Sequence, residues 1–114
     1  YDGSEDSDKH IDMIANSPLY VGLNCHLVCV NKQNIANSLI ENTIKKLESA
    51  EWANITSASL QGNTENELCD YQIKNNIDLT IMGAFNHTRL HDFILGSFTA
   101  RMLLSTKTPL LLLR

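Results

Sequence analysis

Leu79-Thr80-Ile81-Met82-Gly83, then Gly96-Ser97, then Thr108-Pro109-Leu110-Leu111-Leu112-Leu113 carry the strongest structural signals in the chain. The first run is apolar on both faces, too short for a helix, and stopped by glycine, which reads as a buried strand over 79–82. Residues 84–95 have no clean period. Gly96-Ser97 then opens a helix that carries Met102, Leu103 and Leu104 toward its end, and Thr108-Pro109 stops it before a last apolar strand over 110–113. A strand, a helix and a second strand apolar on both faces describe a parallel pair covered by helices.

Working toward the N-terminus, the same alternation repeats. Asp2-Gly3-Ser4 is a turn at a helix start, with Ser4 as cap and Glu5 and Asp6 at the positive end of the helix dipole. Ile11, Ile14 and Ala15 follow at helical spacing, and Asn16-Ser17-Pro18 stops the run. Residues 25–30, Cys-His-Leu-Val-Cys-Val, form a strand. A helix over 35–50 lines up Ile35, Leu39, Ile40, Ile44 and Leu47 on one face. Residues 55–60 form a second strand suited to a sheet edge. Gly62-Asn63 turns the chain, and Thr64 to Glu67 reads as a capping box opening a helix with Leu68, Tyr71 and Ile73.

The bulk properties agree with one small α/β domain over residues 1–114. Of the 114 residues, 43% are hydrophobic and 19% charged, too apolar for a disordered chain. A chain of this size buries about two-thirds of its unfolded surface, enough for one core. The net charge of -4 and the lack of a basic block argue against a nucleic-acid backbone as partner. No apolar run approaches the roughly 18 residues of a membrane-spanning helix. Cys25, Cys29 and Cys69 form no C-x-x-C pair and are read as reduced thiols of a cytoplasmic protein.

In open α/β sheets, ligands bind beyond the carboxyl ends of the strands. Asp2-Gly3-Ser4, Val30-Asn31, Met82-Gly83 and Gly96-Ser97 all fall at such ends. A glycine and a serine at a helix start suit an anion, because the backbone approaches closely, a hydroxyl is added and free N–H groups face outward.

The spacing sharpens this. Gly83-Ala84-Phe85-Asn86, nine residues, then Gly96-Ser97 resembles the G-2x-G-9x-G-(S/T) signature of the ATP-binding universal stress proteins. Residues 82–90, Met-Gly-Ala-Phe-Asn-His-Thr-Arg-Leu, are similar to that family's MGAYGHSRL segment. Leu95-Gly96-Ser97 with residues 109–113 resembles its closing helix and strand. Tyr1-Asp2-Gly3-Ser4-Glu5 resembles the turn after its first strand, and Leu60-Gln61-Gly62-Asn63 the loop before its third helix.

The resemblance implies a doubly wound parallel sheet in the order 3-2-1-4-5, with helices on both faces. The first strand would be largely absent from residues 1–114, so the natural chain is expected to extend upstream of Tyr1 by a strand, or by a whole domain as in tandem members. It also implies ATP, carried with magnesium, or a related adenine nucleotide as ligand and signal. Asp2 and Val30 would lie on the adenosine side; Met82, Gly83, Asn86, Gly96, Ser97 and Phe98 would form the loop and phosphate side. Pairing through the last strand, as a homodimer or between tandem domains, follows as well. Asn86 departs from the signature, standing where its second glycine belongs. Asparagine tolerates left-handed backbone, yet its side chain fills space that glycine leaves open. The alternative is therefore a nucleotide-free dimeric module of a stress response.

Other candidates have plainer readings. His87 and His91, with Asp92, could meet on one helical turn as metal ligands, but they read better as solvent-facing or phosphate-proximal. Arg89 lies in the glycine loop within reach of phosphate; Arg101 reads as a surface helix residue. Trp52 is expected to pack at a helix end. No arrangement of nucleophile and base stands out, so catalysis is expected to be absent or limited to slow ATP hydrolysis.

Overall fold

The computed structural model describes residues 1–84 and 96–114. These residues form two compact units, Tyr1–Gly62 and Asn63–Arg114. The architecture is α/β with parallel strands.

In the first unit, the Ser4 hydroxyl accepts from the Ser7 N–H at 3.2 Å and caps α1, Glu5–Ala15, whose first turn holds Glu5, Asp6 and Asp8. Strand β1, Asn24–Val30, pairs in parallel with β2, Asn54–Leu60, in a register from Asn24↔Asn54 to Val30↔Leu60. The helix between them, α2, spans Asn37–Ser49 and so begins two residues later than its apolar period suggests. Lys32–Asn34 forms a separate 3-10 turn, and Ala36 is still extended, which leaves Ile35 outside the helix.

The core of this unit is Ile11, Leu27, Cys29, Ile40 and Leu47, with Tyr1, Ile35, Ile44 and Trp52 packed against it. Leu39 is not part of it. That side chain is 37% exposed, and Thr43 takes the inward position, its hydroxyl satisfied by the Leu39 carbonyl at 2.9 Å. Trp52 follows the end of α2 as expected and stacks on Tyr20, with ring centres 5.7 Å apart.

In the second unit, α3 spans Thr64–Lys74. Its cap is Asn63 rather than Thr64. Asn63 has the extended backbone a cap needs, and its side chain accepts from the Asn66 N–H at 3.1 Å, so the capping box over 64–67 does not form. Strand β3, Thr80–Gly83, pairs in parallel with β4, Leu110–Leu113, and α4 occupies Ser97–Ser105. Helix α4 buries Thr99 and Met102, one turn apart, while Leu103 and Leu104 face outward. Helix α3 exposes Ile73 and buries Gln72 instead. The Gln72 amide donates to the Thr80 hydroxyl at 2.7 Å and accepts from the Thr106 hydroxyl at 2.9 Å, which satisfies both of its ends. Glu65 joins α3 to α4 by accepting from Arg101 and Ser105.

Both strand pairings are contained in the expected order. No helix among the described residues is long and apolar enough to cross a membrane.

Candidate functional site

Three loops meet at the carboxyl end of β1 in the first unit. The Asp2 carboxylate accepts from the Ser4 N–H at 3.0 Å and from its hydroxyl at 2.7 Å, closing a turn directly ahead of α1. Partial desolvation pushes this carboxyl up, but the bonds from Ser4 and the nearby N-terminal ammonium outweigh it, and Asp2 lies below the usual carboxylate value. Gly3 holds the turn at φ +77, and an added Cβ would sit 3.1 Å from Ile35 Cγ2. The left-handed backbone favours glycine there, and an added Cβ would also press on Ile35. Contact with Ile35 brings the Asp2 turn against the segment that leaves β1.

Val30 ends β1, half-buried, in register with Leu60. The next residue, Asn31, adopts the left-handed conformation at φ 54. Its N–H donates to the Leu60 carbonyl at 2.8 Å. Its side-chain amide donates to the Gly62 carbonyl at 2.9 Å and accepts from the Gly62 N–H at 3.1 Å. Asn31 therefore ties the exits of β1 and β2 together. Two residues farther on, Gln33 accepts from the Gln61 side-chain amide at 3.1 Å. Of the residues assigned to the adenosine side, Asp2 and Val30 thus share this end of the first unit.

The second unit carries most of the remaining candidates. Met82 is half-buried and Gly83 exposed at the end of β3, paired with Leu112 and Leu113. The ladder continues one step as the Ala84 N–H donates to the Leu113 carbonyl at 2.8 Å. The Ala84 carbonyl in turn accepts from the buried Thr99 hydroxyl at 2.9 Å, which fastens the first turn of α4 to the exit of β3. This brings Met82 and Gly83 toward Gly96, Ser97 and Phe98.

Gly96 is the N-cap of α4 and offers no side-chain bond to the helix start. Its φ of -56 is ordinary, and among the described residues an added Cβ would meet only Thr99 Oγ1, at 3.9 Å. Among the described residues, neither backbone strain nor crowding accounts for a glycine at this place. Ser97 is exposed on the first turn beside it, and Phe98 is half-buried. Asn86 lies outside the described residues, as do Arg89, His87, His91 and Asp92.

Thr99 is not among the candidates read from the sequence, and Asn31 enters there only as the end of its strand. A threonine at the third position of a helix, and an asparagine directly after a strand, are the signals that mark them. Arg101 pairs with Glu65 at 3.0 Å on the helix surface. The three cysteines are free thiols, and burial pushes Cys25 up to about 11. Burial also raises Cys29, partly offset by the N-terminal ammonium and Lys32, while Asp2 adds to the rise. Among the described residues, no group of histidine, cysteine or carboxylate side chains could hold a metal ion.

Residues 30–114 match the profile of the Universal stress protein family. Universal stress protein Slr1230 from Synechocystis sp. is 35% identical over 116 aligned positions, which cover 100% of this chain and 40% of that protein. The chain thus spans less than half the length of this curated relative. Among solved structures, the fold is similar to that of hypothetical protein MJ0577, with a TM-score of 0.75, 19% identity, and coverage of 98% of this chain and 90% of the other. It is also similar to a universal stress protein in complex with cAMP, with a TM-score of 0.72, 18% identity, and coverage of 100% and 91%.

Proposed function

The chain belongs to the universal stress protein family, and from that premise we propose that it binds ATP or a related adenine nucleotide as a ligand and signal. Residues 1–114 act as one cytoplasmic domain of that kind. Asp2 and Val30 contact the adenosine; Met82, Gly83, Asn86, Gly96, Ser97 and Phe98 contact the phosphates, with magnesium arriving on the nucleotide. The observation that carries this reading is Gly96. Gly96 caps α4 with no side-chain bond, and among the described residues only Thr99 lies near its Cα, which suits the outward N–H groups of that helix start to an anion. The Thr99 bond to Ala84 holds that helix start against the exit of β3. A structural neighbour bound to cAMP, itself an adenine nucleotide, supports the same ligand class.

The role is recognition rather than turnover, with at most slow hydrolysis. Two copies, or two tandem domains, pair through the edge of β4.

Titration calorimetry with magnesium-ATP on the purified chain tests the reading, alongside Gly96→Ala. Loss of a favoured N-cap residue should cost about 0.5–1 kcal/mol in stability, while affinity for ATP falls about tenfold, equivalent to ~1.4 kcal/mol. No heat at millimolar magnesium-ATP, with no nucleotide retained in native mass spectrometry, would sink it.

A further inference from the structure

We propose that Tyr1 is a positioning residue, acting through a side-chain tie to Asp8 that sets the Asp2 carboxylate for its ligand; the inference rests on the nucleotide reading above and adds what holds Asp2 in place. The Tyr1 hydroxyl donates to Asp8 Oδ1 at 2.7 Å. Its side chain packs against the core of the first unit, with Thr43 of α2 in reach of the phenol.

Four residues thereby close a ring. Tyr1 reaches Asp8 through its side chain. The Asp8 N–H donates to the Ser4 carbonyl at 3.0 Å in the first turn of α1. The Ser4 N–H and hydroxyl both donate to Oδ1 of Asp2, and Asp2 follows Tyr1 along the chain. The links are unequal. The Ser4 bonds to Asp2 are exposed, whereas the Tyr1–Asp8 bond is part-buried and has a carboxylate as acceptor, the stronger kind of hydrogen bond. It is also the link that carries the ring to the core. Asp2 takes its orientation from Ser4, Ser4 sits at the head of α1, and Tyr1 fastens α1 to the residue from which Asp2 departs. Without that tie the ligand must order the turn as it binds, which lowers affinity.

Tyr1→Phe removes the hydroxyl and keeps the packed ring. Tyr20→Phe makes the same change at the tyrosine stacked on Trp52, outside the ring of bonds, and serves as the control. Two readouts separate positioning from general support of the fold. The first needs no nucleotide. Carboxyl NMR should find Asp2 titrating below the usual carboxylate value in the wild-type chain, moved up toward that value in Tyr1→Phe, and unmoved in Tyr20→Phe.

The second is a double-mutant cycle, read by calorimetry with magnesium-ATP. Tyr1→Phe should weaken ATP about fivefold in the wild-type chain and less than about twofold in an Asp2→Asn chain, because its effect passes through Asp2. Asp8→Asn, which keeps an acceptor oxygen, should bind ATP more tightly than Asp8→Ala, the charge being lost in both. An Asp2 titration unmoved by Tyr1→Phe, or the same loss of ATP affinity with and without the Asp2 carboxylate, would reduce Tyr1 to a packing residue and leave the nucleotide reading standing. A wild-type chain that binds no nucleotide would remove that reading, while a displaced Asp2 titration in Tyr1→Phe would still establish the tie.

Discussion

Replacing Thr99 by valine removes one oxygen and keeps the shape of the side chain. In the folded chain that oxygen is 2.9 Å from the Ala84 carbonyl, and Thr99 and Ala84 are only 3% and 2% exposed. Two effects follow. The bond itself contributes about 1 kcal/mol net, and the buried Ala84 carbonyl left without its partner adds roughly 1–2 kcal/mol. The expected destabilisation is about 2–3 kcal/mol, or roughly 8–12 °C in Tm at about 4 °C per kcal/mol for a chain of this size. Thr99→Ser makes the opposite change. It keeps the hydroxyl and deletes a methyl, which costs about 1 kcal/mol. Urea unfolding of the two variants separates the terms, with valine expected to be the worse. Calorimetry should show a parallel order for ATP, since the bond also places the start of α4 beside β3. A valine variant as stable as wild type, with serine the more damaging, would refute the role given to this bond and make Thr99 a packing residue only.

Gly3→Ala should destabilise by more than 1 kcal/mol, because alanine is strained at φ +77 and its Cβ would press on Ile35; an unchanged urea midpoint would count against the tight turn. Asn86→Gly restores the signature glycine and should strengthen ATP binding; binding that appears only in this variant would favour the nucleotide-free module instead. Cys25 gives a pH dependence. Its folded thiol titrates at about 11 against an ordinary value of 9.0, so the folded state holds the proton more tightly. Stability is full below pH 9 and declines from there to about pH 11 as the unfolded thiol ionises first. Cys25→Ala should flatten that decline in urea midpoints, and identical slopes for the two proteins would contradict it.

The alternation of elements was legible because apolar runs of strand length stood between helical periods. Residues 79–82 and 110–113 could be little else; the first strand lies one residue later, at Thr80–Gly83, and pairs with Leu110–Leu113. The glycine spacing from Gly83 to Gly96 was legible for a different reason, since nothing in local propensity calls for it. What escaped is polar burial. Apolar periodicity sorts side chains by polarity, so it predicts Leu39 inside and gives no place to Thr43. The structure reverses them because Thr43 satisfies its hydroxyl within its own helix. Gln72 escaped similarly. It lies four residues after Leu68, on the same helical face, but its partners Thr80 and Thr106 come from other elements, and only the fold brings them within reach. The cap of α3 was missed by one residue, as two adjacent cap-forming side chains, Asn63 and Thr64, competed for it.

Gln72 has a consequence for the way the second unit comes apart. Its amide is bonded at once to the start of β3 and to the residue that ends α4, so neither segment can loosen without stripping a buried side chain of a partner. Fraying at one of these places is therefore coupled to fraying at the other. In hydrogen exchange, the amides around Gln72, Thr80 and Thr106 should open as one cooperative block with a common protection factor. One glutamine, carrying no charge and touching no proposed ligand, sets the grain at which this half of the molecule melts.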